Sequence, residues 1–186
     1  MSERPIKSGA TYDDVLAAPE EQIAELIDGD LYLSPRPASR HARVSSALGV
    51  KLGSAFDFGT DGPGGWWLID EPELHLGPQI VVPDLGGWKR ERMPIFPDVL
   101  YFDFPPDWVC EVLSPSTSRL DRLKKLPIYA ACGVLHAWLI DPSKRTLEIY
   151  GLENGSLNLV SAFAGEESVC ATPFEAVPLE LRALWI

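Results

Sequence analysis

Cysteine is scarce in this chain. Cys110, Cys132 and Cys170 are odd in number and widely separated, which excludes a disulfide framework and a CxxC metal knuckle and predicts reduced, mostly buried thiols. Long apolar runs are also missing. No stretch approaches the roughly 20 residues that span a bilayer, and Met1–Ala10 lacks an apolar segment of the secretory type. These absences predict a cytoplasmic protein with no membrane partner. No internal repeat or low-complexity segment breaks the chain. Positive charge is the third shortage: 16 Lys and Arg stand against 27 Asp and Glu, a net charge of -11. That balance excludes a protein that coats nucleic acid with its whole surface, because each phosphate contact needs a cation that releases counterions.

The basic residues present are clustered. Arg36, Arg40 and Arg43 form one short run, Lys89, Arg90 and Arg92 a second, and Arg119, Arg122, Lys124 and Lys125 a third. With 186 residues and an apolar fraction of 46%, the chain can bury about two thirds of its unfolded surface around one core. One domain over 1–186 is expected, with residues 1–10 a flexible N-terminus.

Local signals set an element order. Thr11 and Asp14 have capping-box spacing and predict a short helix with Tyr12, Val15 and Leu16 inward. Ile23–Ile27 and Asp30–Leu33, joined by Asp28-Gly29, predict a hairpin. Val44, Leu48 and Leu52 recur along one face of a helix over 39–56, and Gly59 to Gly65 breaks it. Short β-prone runs fill 66–82, and four prolines make 93–106 irregular. Trp108–Leu113 reads as a core strand, 118–132 as a helix, and His136–Ile140, Thr146–Gly151 and Leu157–Phe163 as a meander. The order predicts an α/β or α+β fold, a mixed sheet with helices packed on it.

Two acids interrupt apolar strands. Glu111 shares a strand face with Val109 and Leu113, where an ionised carboxylate needs a cation, strong donors or a proton. Asp84 ends the run Ile80-Val81-Val82-Pro83, although Pro-Asp is also an ordinary turn signal. Two such acids followed by a lysine-bearing helix suit a hard cation such as Mg²⁺, which takes a few oxygen ligands and keeps several waters. Without that cation, converging carboxylates would repel. Asp121, Lys125 and Tyr129, at i, i+4 and i+8, share a face of a regular helix, and Lys124 points elsewhere. Pro127 inside this helix removes a bond to the Leu123 carbonyl and can kink the axis.

The stretches "VPDL" with Asp84, "EVLSPST" with Glu111, and "DRLKKLPIY" with Asp121, Lys125 and Tyr129 resemble the Uma-type family of restriction-endonuclease-like proteins. So do "ELIDGDLYLSPRPASRH", with Glu25, Gly29 and His41, and "GVLHAWLIDP". The resemblance spans roughly residues 11–150. It implies the PD-(D/E)XK nuclease superfamily, whose fold is a central mixed sheet flanked by helices. It also implies a Mg²⁺-dependent endonuclease, with Mn²⁺ as substitute, that hydrolyses nucleic-acid phosphodiesters to 5′-phosphate and 3′-hydroxyl ends. The implied catalytic set is Asp84, Glu111, Lys125 and Glu25, with Asp84, Glu111 and the Val112 carbonyl as metal ligands. His41, Asp121 and Tyr129 are implied substrate contacts. The superfamily lysine two residues after the second acid is absent, since that position is Leu113, and its role passes to Lys125. Nucleic acid, DNA ahead of RNA, is the implied partner, and the chain can work as a homodimer. The alternatives are a catalytically silent binding module on the same fold and a metal-dependent hydrolase of small phosphate esters. His75 and His136 are read as structural.

Overall fold

The computed structural model describes residues 4–185. In chain order these form β1 (Lys7–Ser8), α1 (Tyr12–Leu16), β2 (Gln22–Ile27), β3 (Asp30–Pro35), α2 (Ser39–Leu52), β4 (Trp66–Asp70), β5 (Leu74–Leu76), β6 (Gln79–Val81), β7 (Leu85–Lys89), β8 (Trp108–Val112), α3 (Ser118–Leu120), α4 (Leu126–Ala131), β9 (His136–Asp141), β10 (Thr146–Glu153), β11 (Ser156–Ala164), β12 (Ser168–Val169) and β13 (Leu179–Glu180). Wide π turns follow α2 and join α3 to α4. The class is mixed α+β, as the element order predicts.

A six-stranded sheet in the order β11-β10-β9-β8-β7-β4 forms the centre. It is mixed because β8 and β9 run parallel while its other neighbours are antiparallel. Strand period two sends Trp108, Cys110 and Val112 to one face, where they meet Val44, Leu48 and Leu52 of α2. Val109 and Leu113 go to the other face, against Leu126, Ile128 and Tyr129 of α4. Glu111 therefore lies on the α4 side, as the alternation requires.

A second sheet, β1-β3-β2-β6-β5, is built on the predicted hairpin. Its turn residues Asp28 and Gly29 both take positive φ, 55° and 78°, the conformation of a type I′ connection. Leu26 pairs with Ile80, which brings the hairpin to the segment leading to Asp84. In the N-terminal stretch, residues 1–3 lie outside the described residues, while Lys7 and Ser8 pair with Leu31 and Asp30.

Several local expectations need correction. Leu16 is exposed, and only Val15 of α1 is buried. Cys170 is exposed and Cys132 half-buried, so Cys110 alone is enclosed. Strand β7 was not legible, because Gly86 and Gly87 argue against a strand interior. They are required by close approach: a Cβ on Gly86 would stand 2.9 Å from Pro72 Cγ, and one on Gly87 3.0 Å from Leu68 Cδ2.

Candidate active site

Four elements deliver the predicted polar residues to one cavity of about 230 Å³. Glu25 comes from β2, Asp84 from the link between β6 and β7, Glu111 from β8, and Asp121 and Lys125 from the π turn after α3. His41, in the first turn of α2, also lines it. The hairpin, the central strand and the lysine-bearing helix are thus brought together from positions up to a hundred residues apart.

The geometry centres on Lys125. Its Nζ stands 2.8 Å from Glu111 Oε1, 2.9 Å from Glu25 Oε1 and 3.9 Å from Asp121 Oδ1, and it donates to the Val82 carbonyl at 3.1 Å. Glu25, Glu111, Asp121 and Lys125 are all buried. Burial alone would neutralise the ammonium, but Glu111, Glu25, Tyr129 and Asp121 outweigh it and hold Lys125 well above its ordinary pKa. Burial pushes the Glu111 carboxyl well up, against the pull of Lys125 and with the charges of Asp121, Asp84 and Glu25 adding to it. Lys125 stands between Glu25 and Glu111 and offsets their mutual repulsion, while the expected repulsion from Asp84 still acts on Glu111.

Asp84 is held differently. Its Oδ2 accepts the Val112 N–H at 2.7 Å, and its Oδ1 faces His41 Nε2 at 3.3 Å. Asp84 thus both fixes backbone and lines the cavity. Burial works against a charge on His41, but the hydrogen bond and charge of Asp84 prevail and raise its pKa.

The π turn explains how Pro127 is tolerated. Leu126 donates to the Asp121 carbonyl, five residues back, so the wide turn takes up the disruption directly before the proline. Asp121 and Lys125 still face the cavity, and Lys124 points away to pair with Asp28 at 2.5 Å on the surface. Tyr129 requires a correction. It is fully buried and does not line the cavity, and its hydroxyl donates to Glu111 Oε1 at 2.5 Å. Its place is behind the cavity wall, against the Glu111 carboxylate, and not at the lining where a substrate contact is expected.

Some lining residues were not singled out from sequence. Ser114, Ser116 and Thr117 line the cavity, with Ser114 Oγ 3.0 Å from both other hydroxyls. Their only sequence signal was a strand stop and helix cap directly after Glu111. Arg122, read as part of a basic run, instead makes a bidentate pair with Glu148 at 2.6 and 2.8 Å.

The donors present suit a hard divalent cation. Among the described residues, no three His, Cys, Asp or Glu side chains already stand as a metal-holding group. Mg²⁺ does not need three, because it uses one or two carboxylates and retains waters. Val112 and His41 each engage one oxygen of Asp84, and Tyr129 and Lys125 share one of Glu111, which leaves the second oxygen of Glu111. The buried Nδ1 of His41 has no hydrogen-bond partner, an unmet polar atom beside that opening.

Asp121 carries a pH signature. Burial, with Glu25 adding and Lys125 opposing, raises its pKa from 3.8 to about 7. The native state then holds a proton that the unfolded chain has lost, so stability from this group is complete below about pH 4 and disappears as pH rises to about 7. Asp121→Asn should remove this fall, worth up to about 1.4 kcal/mol per pH unit. Urea midpoints of both proteins from pH 4.5 to 6.5 check it; identical slopes would contradict the burial argument.

Comparison with known proteins agrees with this architecture. A crystal structure described as a "putative nuclease belonging to DUF820" from Anabaena variabilis superposes with a TM-score of 0.77 at 24% identity, covering 94% of this chain and 97% of that one. It shows the fold. No curated protein gives a significant match. The model of the Uma2 family, described as "Putative restriction endonuclease", matches residues 10–182, and the chain belongs to that family.

Proposed function

We propose that this protein is a metal-dependent endonuclease that hydrolyses phosphodiester bonds of nucleic acid in the cavity of Asp84, Glu111 and Lys125. The observation that carries the reading is the convergence of Glu25, Asp84, Glu111 and Lys125 on one cavity from four separate elements. A structural ion pair of Lys125 with its glutamates would not require a further carboxylate, Asp84, on a separate loop at the same cavity. Among the described residues no helix is long and apolar enough to cross a membrane, and we place the activity in the cytoplasm.

Asp84, Glu111 and the Val112 carbonyl would hold Mg²⁺ or Mn²⁺, which supplies Lewis-acid polarisation of a phosphoryl oxygen and a more acidic bound water. Lys125 keeps a positive charge at the cavity floor, where it stabilises negative charge growing on the phosphoryl group and orients a water for attack. Glu25 accepts the Val82 N–H at 2.9 Å and steadies Lys125. Tyr129 fixes the Glu111 carboxylate. His41 offers a donor to a phosphate oxygen at the mouth.

Metal linkage tests the reading without needing a substrate. Mn²⁺ at 100 times its dissociation constant should stabilise wild type by about 2.7 kcal/mol. Asp84→Asn should lose most of this increment together with Mn²⁺-dependent cleavage of DNA or RNA. Melting curves indifferent to Mn²⁺ in wild type would refute the site; a metal response without cleavage would favour the silent module.

A further inference from the structure

The chain has 27 acidic residues, yet none lies between Asp30 and Asp57. That stretch carries Arg36, Arg40, Arg43 and Lys51, so it is locally basic in a protein of net charge -11. It holds α2, the helix that brings His41 into the cavity. Arg36 is part of the cavity wall. Arg36 lies before the helix, Arg40 and Arg43 follow in its first turns as an i, i+3 pair, and all three are exposed. Further along α2, Val44, Leu48 and Leu52 are buried in the core.

The three arginines differ in how they are held. Arg36 is braced by Glu71 at 3.1 Å and by the Glu20 carbonyl, and Arg43 reaches the Ala183 carbonyl at 3.1 Å. Arg40 has no ion-pair or hydrogen-bond partner among the described residues. No acidic side chain stands in the first turn of α2, and Glu71 engages Arg36 alone of the three arginines. Burial of α2 against the sheet explains its apolar side but not the absence of carboxylates on its outer side, where a solvated helix normally carries both signs.

We infer that the exposed basic surface formed by Arg36, before α2, and by Arg40 and Arg43, in its first turns, is the track along which the phosphate backbone of a polynucleotide is led to the cavity. This rests on the nuclease reading and deepens it: the substrate is a polymer, bound by several phosphates beyond the one attacked, and not a small phosphate ester. Arg36 sits at the cavity edge, and Arg40 and Arg43 lie in the first turns of the helix that follows it.

The test is binding of fluorescein-labelled 20-mers, single-stranded and duplex DNA and single-stranded RNA, to the full chain in EDTA over a series of KCl concentrations. Wild type should bind at least one with strong salt dependence. Arg40→Glu alone, which disturbs no internal contact, should weaken binding about tenfold or more. Arg40→Gln with Arg43→Gln should lower the log–log salt slope by about 1.4 to 1.8, while Lys7→Glu and Lys144→Glu change little. The Mn²⁺ response of the melting curve should persist in the arginine variants. Equal binding by wild type and Arg40→Glu, or no binding by wild type, overturns the track. Cleavage that survives in Arg40→Glu with unchanged affinity overturns the track but leaves the nuclease reading standing. Arginine-dependent binding in a protein that never cleaves leaves the track standing and removes the nuclease.

Discussion

Lys125→Met should destabilise the protein by about 3–5 kcal/mol at pH 7, the usual cost of taking one partner out of a buried ion pair. Lys125 is only 2% exposed, and its ammonium lies within 3 Å of both Glu25 and Glu111. Without it two buried carboxylates face each other and Asp121, with no cation to offset them. The loss should shrink as pH falls, because protonating the carboxylates removes the uncompensated charge. Adding Glu111→Gln should recover part of it. Lys124→Ala, which removes a half-exposed surface pair with Asp28, should cost less than about 1 kcal/mol. Urea unfolding of the four proteins measures all of this, and equal effects at 124 and 125 would contradict the orientation of the π turn. The size of the Lys125 effect has a practical consequence: its loss of activity says little about catalysis until folding has been checked, whereas Asp84 and Glu111 can be neutralised isosterically.

Phe174→Ala should cost a similar amount, about 3–5 kcal/mol, although Phe174 lies far from the cavity. It is 1% exposed, and its ring lies 4.7 Å from Phe56, 4.8 Å from Trp66, 5.0 Å from Trp108 and 5.6 Å from Trp138. Such edge and tilted contacts add to the burial of area. This residue closes the face of the central sheet opposite the site, so its removal leaves a cavity that α2 and β8 cannot collapse to fill. Phe174→Leu should lose less. A Phe174→Ala protein with a wild-type denaturation midpoint would show that the C-terminal segment is not part of the core.

Phe174 also marks where sequence reasoning stopped. Residues 168–185 carry no apolar period of two or 3.6, because they cross the sheet as a chain of short pieces: β12, β13 and a single helical turn at Leu181–Ala183. Their apolar residues enter the core one at a time, a pattern that only the tertiary partner makes visible. Strand β7 was hidden for the opposite reason, since Gly86 and Gly87 look like a turn until the rings of Trp66, Trp88 and Trp108 claim the space of their side chains. The hairpin, α2 and β8 were legible because each obeys one strong local rule: a two-residue turn with positive φ, a 3.6-residue apolar stripe, and an alternating buried strand.

At the site, the facing of single residues was legible, and their convergence and pairing were not. Strand alternation and helix spacing place Glu111, Asp121 and Lys125 on the faces they occupy. They do not show that Lys125 spans Glu25 and Glu111, that Asp84 also holds the Val112 N–H, or that the buried Tyr129 hydroxyl donates to Glu111. Those are facts about distance, and they change expectations. Asp84→Asn can still accept the Val112 N–H through its amide oxygen but loses the charge that faces His41, so relief of repulsion no longer alone decides its stability. Arg90 shows the same limit in a residue grouped by charge alone: it pairs with Asp57 at 2.8 Å and stacks 3.7 Å above Trp67, a scaffold role that no charge run reveals.

The central claim is that this cavity breaks phosphodiester bonds. The most direct measurement is the appearance of new ends in end-labelled DNA and RNA oligonucleotides, with enzyme in excess and millimolar Mn²⁺, comparing wild type with a Glu111→Gln protein shown by its melting curve to be folded. The account predicts strand scission by wild type that leaves 5′-phosphates and 3′-hydroxyls, and its loss by about a hundredfold or more in Glu111→Gln, the scale seen when one electrostatic contributor to a transition state is removed. Scission at the same rate by both proteins, or by neither, would contradict it.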